Sequence, residues 1–170
     1  MDHDEQLKKI IADLKTVAYK YQSLLGLTIV FRSKDFIHRK TYKARFNKEN
    51  FLHLTGIQTK LKAIDFFEKC CLGTIAEADL LNFPEEYDSK IFIKLRNLKH
   101  IDTYFSQELM FQEDFKKNVV SCLVASSDGF KTLGFVSTGV ILLPMTLLNR
   151  NQLDPNKPII KVFPKIIDIT

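Results

Sequence analysis

The chain has 170 residues, 45% of them hydrophobic including 14 phenylalanines, and a formal net charge of +5. This length and composition suit one soluble domain with a sizeable core, and the longest apolar run, near "GVILLPMTLL", is too short to span a bilayer. The positive charge favours anionic partners such as nucleic acid or lipid headgroups, although an ordinary basic cytosolic protein carries a similar charge.

The first fifty residues predict one helix followed by two strands. Apolar residues recur at helical spacing over 4–25, and Gly26 is a natural stop. The polar N-terminus does not resemble a signal peptide, so we expect a cytoplasmic protein. The segments "LTIVFRS" and "FIHRKTYKARF" are rich in β-branched and aromatic residues and predict antiparallel strands with a turn near Lys34 and Asp35. We expect a single domain, 1–170, in which the helix of 1–25 precedes a core of about 26–170.

Several short helices are predicted in the middle of the chain. Asn47 is placed to cap a helix through "KENFLHLT" that Gly56 closes, and a second helix over about 59–72 ends at Gly73. Thr74 is placed to cap a further helix in "TIAEADLL". The stretch "NFPEEYDSK" (82–90) predicts a loop, and 90–106 is helical again.

The last third of the chain predicts an antiparallel meander. Short β-like runs are separated by turn signals at 128–129, at Gly139 and at 154–158. The runs are "ELMFQED", "NVVSCLVASSDG", "KTLGFVSTG", "VILLP" and "PIIKVFPKI". Helices first and strands afterwards indicate an α+β fold.

The three cysteines, Cys70, Cys71 and Cys122, suit neither a disulfide framework nor a metal site. Their number is odd, two are adjacent, and no CxxC or Cys/His spacing occurs. We therefore expect reduced thiols, with Cys70 and Cys71 on a helix and at least one of them buried, and neither a metal nor another cofactor.

A basic segment with interleaved aromatic residues runs from Arg32 to Lys48, with Asp35 as its only acid before residue 49. Alternation along 40–46 sends Tyr42 to one face of the strand and Lys43 and Arg45 to the other. Cations on a sheet face can follow a phosphate backbone, and aromatic rings can stack on bases. A solvated strand with a packed aromatic side fits the same pattern.

His53 stands between two leucines and seven residues before Lys60. An imidazole gives or takes a proton near neutral pH, and a nearby ammonium lowers its pKa. A core histidine hydrogen-bonded to the backbone is the alternative. Whether Lys60 shares a face with His53 depends on how Gly56 bends the chain.

Two further polar positions lie near the C-terminus. Thr146 follows Pro144 between apolar residues, where its hydroxyl can bond a phosphate oxygen or cap a turn through "LLNR". Lys161 and Lys165 are predicted on one side of a final strand, where lysines also serve to protect a sheet edge. The sequence contains no GxGxxG, P-loop, HExxH or GxSxG motif, and its scattered acids give little support to a two-metal nuclease.

Four segments resemble a phage-encoded family of barnase–EndoU–colicin–RelE-like (BECR) nucleases, the fourth phage-associated family of that group. The most specific is "FNKENFLHLTGI". Three others agree in order and spacing: "FFEKCCLGTIAEADL", "KIFIKLRNL" and "GVILLPMTLLNRNQLDPNKPIIKVFPKI". The similarity covers about residues 40–166. The family pattern also has an acid and an arginine shortly after the Leu-Leu pair, whereas "NRNQL" offers Arg150 but no acid.

The resemblance implies N-terminal helices packed on a four-stranded, or slightly larger, antiparallel sheet. It also implies a metal-independent ribonuclease of phage or mobile-element origin, toxin-like, in which the 2′-hydroxyl of RNA attacks the adjacent phosphate. tRNA, rRNA or mRNA are possible targets, and an immunity protein is a possible partner. The implied catalytic residues are His53 as acid or base, Lys60, Thr146 and Lys165. The implied substrate-binding residues are Lys43, Arg45, Thr55 and Arg150.

Two other functions fit the sequence. One is a module on the same fold that binds nucleic acid or protein through the basic segment but has lost catalysis. The other is a nucleotide-using transferase such as an ADP-ribosyltransferase, although no glutamate stands in a suggestive motif.

Overall fold

The computed structural model describes residues 2–83 and 89–168, which form four α-helices, a short 3-10 helix and eight strands. The helices are α1 (His3–Gln22), α2 (Asn50–Thr55), α3 (Ala63–Leu72) and α4 (Ser89–Leu98), with the 3-10 helix at Glu77–Asp79. The strands are β1 (Leu27–Arg32), β2 (Thr41–Arg45), β3 (Leu109–Lys117), β4 (Val120–Ser127), β5 (Lys131–Thr138), β6 (Ile141–Asn149), β7 (Ile160–Val162) and β8 (Lys165–Asp168).

Helix α1 confirms the predicted amphipathic pattern. Asp2 caps it, because its carboxylate accepts from the Glu5 N–H while the Glu5 side chain accepts from the Asp2 N–H. One face is buried, including Leu14 and Tyr21. The Tyr21 hydroxyl donates to the Asn47 carbonyl at 2.6 Å, which ties the helix to the chain between β2 and α2.

All eight strands belong to one sheet, in the order β7-β3-β4-β5-β6-β2-β1-β8. The meander β3 to β6 and the pair β1–β2 are antiparallel, as predicted. The contact between β2 and β6 is parallel. The sheet is therefore larger than the sheet of four strands, or slightly more, that the resemblance implied, and it is mixed rather than antiparallel.

The sheet is strongly curled. Its two edge strands, β7 and β8, are joined by residues 163 and 164 alone, so the Val162 and Lys165 Cα atoms lie at most about 11 Å apart. In a flat sheet of eight strands, the edges are about 34 Å apart. Curling brings inward side chains of distant strands together, and the rings of Phe31 on β1 and Phe111 on β3 have centroids 5.0 Å apart.

The helices pack on the concave face of this sheet. Helix residues such as Leu14, Phe51 and Leu95 belong to the same buried cluster as the inward Phe31 and Phe135. The outer face is partly covered where residues 151–159 cross β3 and β4, over a small second cluster of Phe115, Cys122, Ala125 and Leu153.

Several predicted helix bounds are wrong. Asn47 does not cap α2, because Glu49 holds the N-cap position and no side chain caps the helix; α2 runs from Asn50 to Thr55, with Gly56 as its C-cap. Helix α3 begins only at Ala63, since 58–60 pair with 79–81. The helix predicted from Thr74 is only the 3-10 turn, and α4 stops at Leu98. The loop predicted over 82–90 lies mostly outside the described residues.

The C-terminal prediction also needs correction. Thr146 caps no turn but lies within β6, where an irregularity opposite Gly134 and Phe135 accommodates Pro144, which cannot donate a ladder hydrogen bond. Lys161 and Lys165 do not share a strand, because Lys161 is on β7 and Lys165 is on β8, at opposite edges of the sheet.

The connection between β1 and β2 is held across the curled sheet by the buried carboxylate of Glu113 on β3. The carboxylate is 7% exposed and accepts from the N–H groups of Ile37 (2.6 Å) and His38 (2.8 Å) and from the Tyr42 hydroxyl. Burial raises the pKa of Glu113, but these hydrogen bonds outweigh it, so the pKa lies below its usual value. Burial and the same carboxylate raise the pKa of Tyr42.

We expect Glu113→Gln to lower the free energy of unfolding by about 1–3 kcal/mol at pH 7, because a neutral amide cannot replace a carboxylate that accepts three hydrogen bonds. Since the folded-state pKa of Glu113 is lowered, its contribution is present above the unfolded-state pKa and is lost as the pH falls through the folded-state pKa. The difference between the two proteins should therefore shrink below about pH 4.

Urea denaturation at several pH values measures this difference. Glu108→Gln is the control, since Glu108 is exposed just before β3. A Glu113→Gln chain as stable as the wild type at pH 7 contradicts the anchoring role.

Candidate functional site

Four cations lie on the outer face of β8, β1 and β2, and we call this surface the basic face: Arg32, Lys43, Arg45 and Lys165. The register aligns Lys165, Val30 and Lys43 in one row, and Thr28 and Arg45 in the next. All four cations are exposed, whereas Tyr42 and Ala44 point inward, which confirms the predicted alternation along β2.

Hydroxyl groups orient part of this surface. Arg32 Nε donates to Thr41 Oγ1 at 3.2 Å, and Arg45 Nε donates to Thr28 Oγ1 at 3.3 Å. Two strand spacings separate the Lys43 and Lys165 Cα atoms, about 10 Å. Within 2–83 and 89–168, none of the four cations forms an ion pair, so all four are available to an anion.

His53 lies on the solvent side of α2. Phe51, Leu54 and Thr55 are buried while His53 is exposed, which rules out a core histidine. Its ring makes no hydrogen bond to any described residue. Gly56 ends the helix with φ +71°, so Lys60 follows a corner rather than continuing the helical face. The Lys60 N–H donates to the Asp79 carbonyl at 3.1 Å.

Three of the four segments that resemble the nuclease family meet at Lys94 on α4. Its Nζ donates to the Leu147 carbonyl of β6 at 2.6 Å, and its stem lies against Gly56. Asn97, one turn later, donates to Asn149 Oδ1 at 3.3 Å. Burial lowers the pKa of Lys94. This cation beside the helix of His53 was not predicted; its only signal was a lysine among the apolar positions of "KIFIKLRNL".

Thr146 and Lys165 do not lie in one cleft. The register places them three strands apart and about five residues out of step, which is about 20 Å along the sheet. One phosphate cannot contact both. Thr146 is half-buried beside Gly134 and Cys122, and Arg150 is exposed at the end of β6 with φ +65°.

Thr55 cannot serve as a phosphate ligand in this structure. It is fully buried, and its hydroxyl donates to the Leu52 carbonyl at 2.7 Å and accepts from the Ile57 N–H at 3.2 Å. The threonine therefore stabilises the turn that ends α2, and its hydroxyl is not exposed to a substrate in this structure.

Sequence reasoning missed an ion pair at the end of the basic face. His38 Nε2 lies 2.6 Å from Asp114 Oδ2, and both side chains are more than half exposed. The two residues are 76 positions apart, so no local pattern indicates the pair. The only sequence signal was a histidine within the basic segment.

The described residues hold no group of three or more His, Cys, Asp or Glu side chains arranged to bind a metal ion. Of the helices in 2–83 and 89–168, none is long and apolar enough to cross a membrane.

Comparison with known proteins identifies one family. The family model described as "phage-Barnase-EndoU-ColicinE5/D-RelE like nuclease4" matches residues 13–162. No curated protein matches the chain, and no solved structure matches it.

We expect Gly56→Ala to destabilise the fold by about 1–2 kcal/mol through its left-handed backbone, and further because the new Cβ would lie 2.9 Å from Lys94 Cδ. Gly139→Ala is the matched control: its φ is +88°, but nothing lies within 4 Å of a Cβ there. Urea denaturation should show a larger loss for Gly56→Ala, and adding Lys94→Ala should remove the excess. If the two variants lose the same free energy of unfolding, the contact with Lys94 adds nothing to the cost of Gly56→Ala.

Proposed function

Because the chain belongs to the phage-Barnase-EndoU-ColicinE5/D-RelE like nuclease4 family, we propose that it cleaves RNA by a metal-independent reaction. The 2′-oxygen loses its proton to a base and attacks the adjacent phosphorus. The bond from phosphorus to the 5′-oxygen then breaks, and an acid protonates that oxygen. The products are a 2′,3′-cyclic phosphate and a free 5′-hydroxyl. DNA lacks the 2′-hydroxyl and is not a substrate of this reaction.

The observation that carries the proposal is the basic face. Its exposed cations stand on adjacent strands without ion-pair partners in the described part of the chain, and two of them bond threonine hydroxyls that hold them extended over the sheet. Such an array suits the regularly spaced phosphates of a nucleic acid strand, whose binding releases counterions.

For the chemistry, we propose His53 as acid or base. The family resemblance implies this role, and the exposed ring on α2 is accessible to a substrate. A positioned imidazole accelerates proton transfer about 10²- to 10⁴-fold. Lys94, whose stem packs on Gly56 three residues after His53, supplies a cation close to that helix, and cations stabilise the charge that builds up on the phosphate. Lys60 remains a further proposed cation beyond the corner at Gly56.

The second candidate function is the binding of nucleic acid without cleavage, by a chain that keeps the fold but has lost catalysis. It is favoured by the missing acid in 149–153 and by the absence of any carboxylate paired with His53 in the described residues. The chain then binds nucleic acid on the basic face without turning it over.

We expect purified protein to cleave RNA but not DNA of the same sequence, with the rate unchanged by EDTA. His53→Ala should lower the rate about 10²- to 10⁴-fold. Gel analysis of labelled tRNA, rRNA and mRNA measures this, and His100→Ala is the matched control, since His100 is exposed in the turns after α4.

Cleavage that EDTA abolishes contradicts the metal-independent mechanism, and full activity of His53→Ala removes that residue from it. Binding of RNA without any cleavage selects the second candidate function.

We expect Lys43→Gln and Arg45→Gln each to weaken the binding of a 2′-O-methyl RNA oligonucleotide, which the proposed reaction cannot cleave. Each should also reduce the slope of log K against log salt by about 0.7, the value for one lost contact to a single strand. Fluorescence anisotropy from 50 to 200 mM salt measures both quantities. Lys8→Gln, an exposed lysine of α1, is the control. Slopes equal to those of the wild type exclude the basic face as the RNA-binding surface.

A further inference from the structure

His38 is an exposed histidine held at both its backbone and its ring. Glu113 accepts from its N–H at 2.8 Å, and the next residue, Asp114, lies 2.6 Å from its Nε2. Its side chain nevertheless remains 51% exposed. A residue whose backbone and exposed ring are held by two consecutive acids from another strand is pre-organised, so it loses little freedom when it binds a ligand.

Since Nε2 is engaged with Asp114, Nδ1 is the ring nitrogen left to bind a ligand. The hydrogen bond and the charge of Asp114 raise the pKa of His38, with a smaller contribution from Glu113. The other charged or titratable groups at this position are Arg39 beside it in the loop, Tyr42 on β2 behind Glu113, and Lys157, which donates to the Asp114 carbonyl at 3.0 Å. A protonated ring therefore offers one N–H donor outward.

Two grooves are lined by neighbours of His38, one by Arg39 and the other by Asp114, although His38 itself lines neither. One, of about 480 Å³, is lined by Arg39, Thr41, Lys43, Gly139 and Val140. The other, of about 350 Å³, includes Asp114, Lys116, Ser121 and Ser137 in its lining. Both linings include residues of the β5–β6 hairpin, where Ser137 Oγ donates to the Gly139 carbonyl at 2.6 Å. Cations and hydroxyls, together with the Asp114 carboxylate, thus line the surface next to His38.

We propose that His38, Arg39 and Lys43 form a second phosphate subsite for the RNA strand, at the opposite end of β2 from His53. This inference rests on the proposed RNA substrate. The five residues of β2 span about 13 Å, and α2 begins beyond its far end. The subsite therefore holds a phosphate away from the scissile one, and it affects KM rather than kcat.

Binding through this subsite depends on pH in a defined direction. Only the imidazolium form donates from both ring nitrogens and carries a charge, so affinity is highest below the raised pKa of His38 and falls as the pH rises through it. His38→Lys keeps a charge at all these pH values and should bind without this fall.

Anisotropy with the 2′-O-methyl RNA oligonucleotide at pH 5.5 to 8.5 tests the subsite. We expect His38→Gln to weaken binding about three- to fivefold at the acidic end, with little effect at the basic end, and to reduce the salt slope there by about 0.7. His38→Lys should restore acidic affinity and extend it to high pH. His100→Gln is the control and should keep the wild-type profile.

An unchanged pH profile in His38→Gln overturns the subsite. So does a fall in kcat at unchanged KM in the cleavage assay, which assigns His38 to the chemistry. If wild-type protein does not bind the oligonucleotide, both the RNA function and the subsite are overturned. If it binds with the expected pH profile but cleaves no RNA, only the cleavage reaction is lost and the subsite stands.

Discussion

Residues 163 and 164 join the two outermost strands of an eight-stranded sheet, and this short connection forces the sheet to curl. Curling divides the surface into two environments. The concave side is filled by aromatic rings from strands that are not neighbours, such as Phe31, Phe111 and Phe135, together with the helices. The convex side stays in water, so long cationic side chains on β1, β2 and β8 are retained there at little desolvation cost. The exposure of the basic face is thus a consequence of the curvature of the sheet.

The same curvature explains the buried carboxylate of Glu113. Because β3 faces β2 across the concave interior, the connection from β1 to β2 reaches Glu113 and satisfies it with two N–H groups and a phenol. Burial alone would drive this carboxylate toward its neutral form, and the three donors reverse that preference. One residue further, Asp114 is exposed with φ +54° and turns its carboxylate to the ring of His38. A structural acid and a surface acid, adjacent in sequence, therefore fix one loop between them.

Local patterns predicted what depends on local periodicity, and little else. The amphipathic face of α1, the alternation along β2 and the meander from β3 to β6 follow from side-chain spacing, and all three are present. The parallel contact of β2 with β6 and the division of 158–166 between opposite edges depend on pairing between strands that are far apart in the sequence, which no short window contains. The contacts of Lys94 and His38 were not predicted for the same reason, since their partners Leu147 and Asp114 lie 53 and 76 positions away.

The family resemblance, spread over four segments of sequence, is concentrated in space around α2. Gly56 packs on Lys94, Lys94 binds the Leu147 carbonyl, and Lys60 and Thr59 after the corner pair with Asp79 and Leu80. The four segments are thus linked to one another by contacts at or close to the "HLTGI" turn. Two of these contacts satisfy backbone groups, so the junction also has a structural purpose. His53 is the exposed exception, since neither its burial nor a hydrogen bond of its ring within the described residues accounts for it. An exposed polar side chain on a tightly built turn contributes little to the fold, and this is the physical reason to seek the function of the turn in its imidazole.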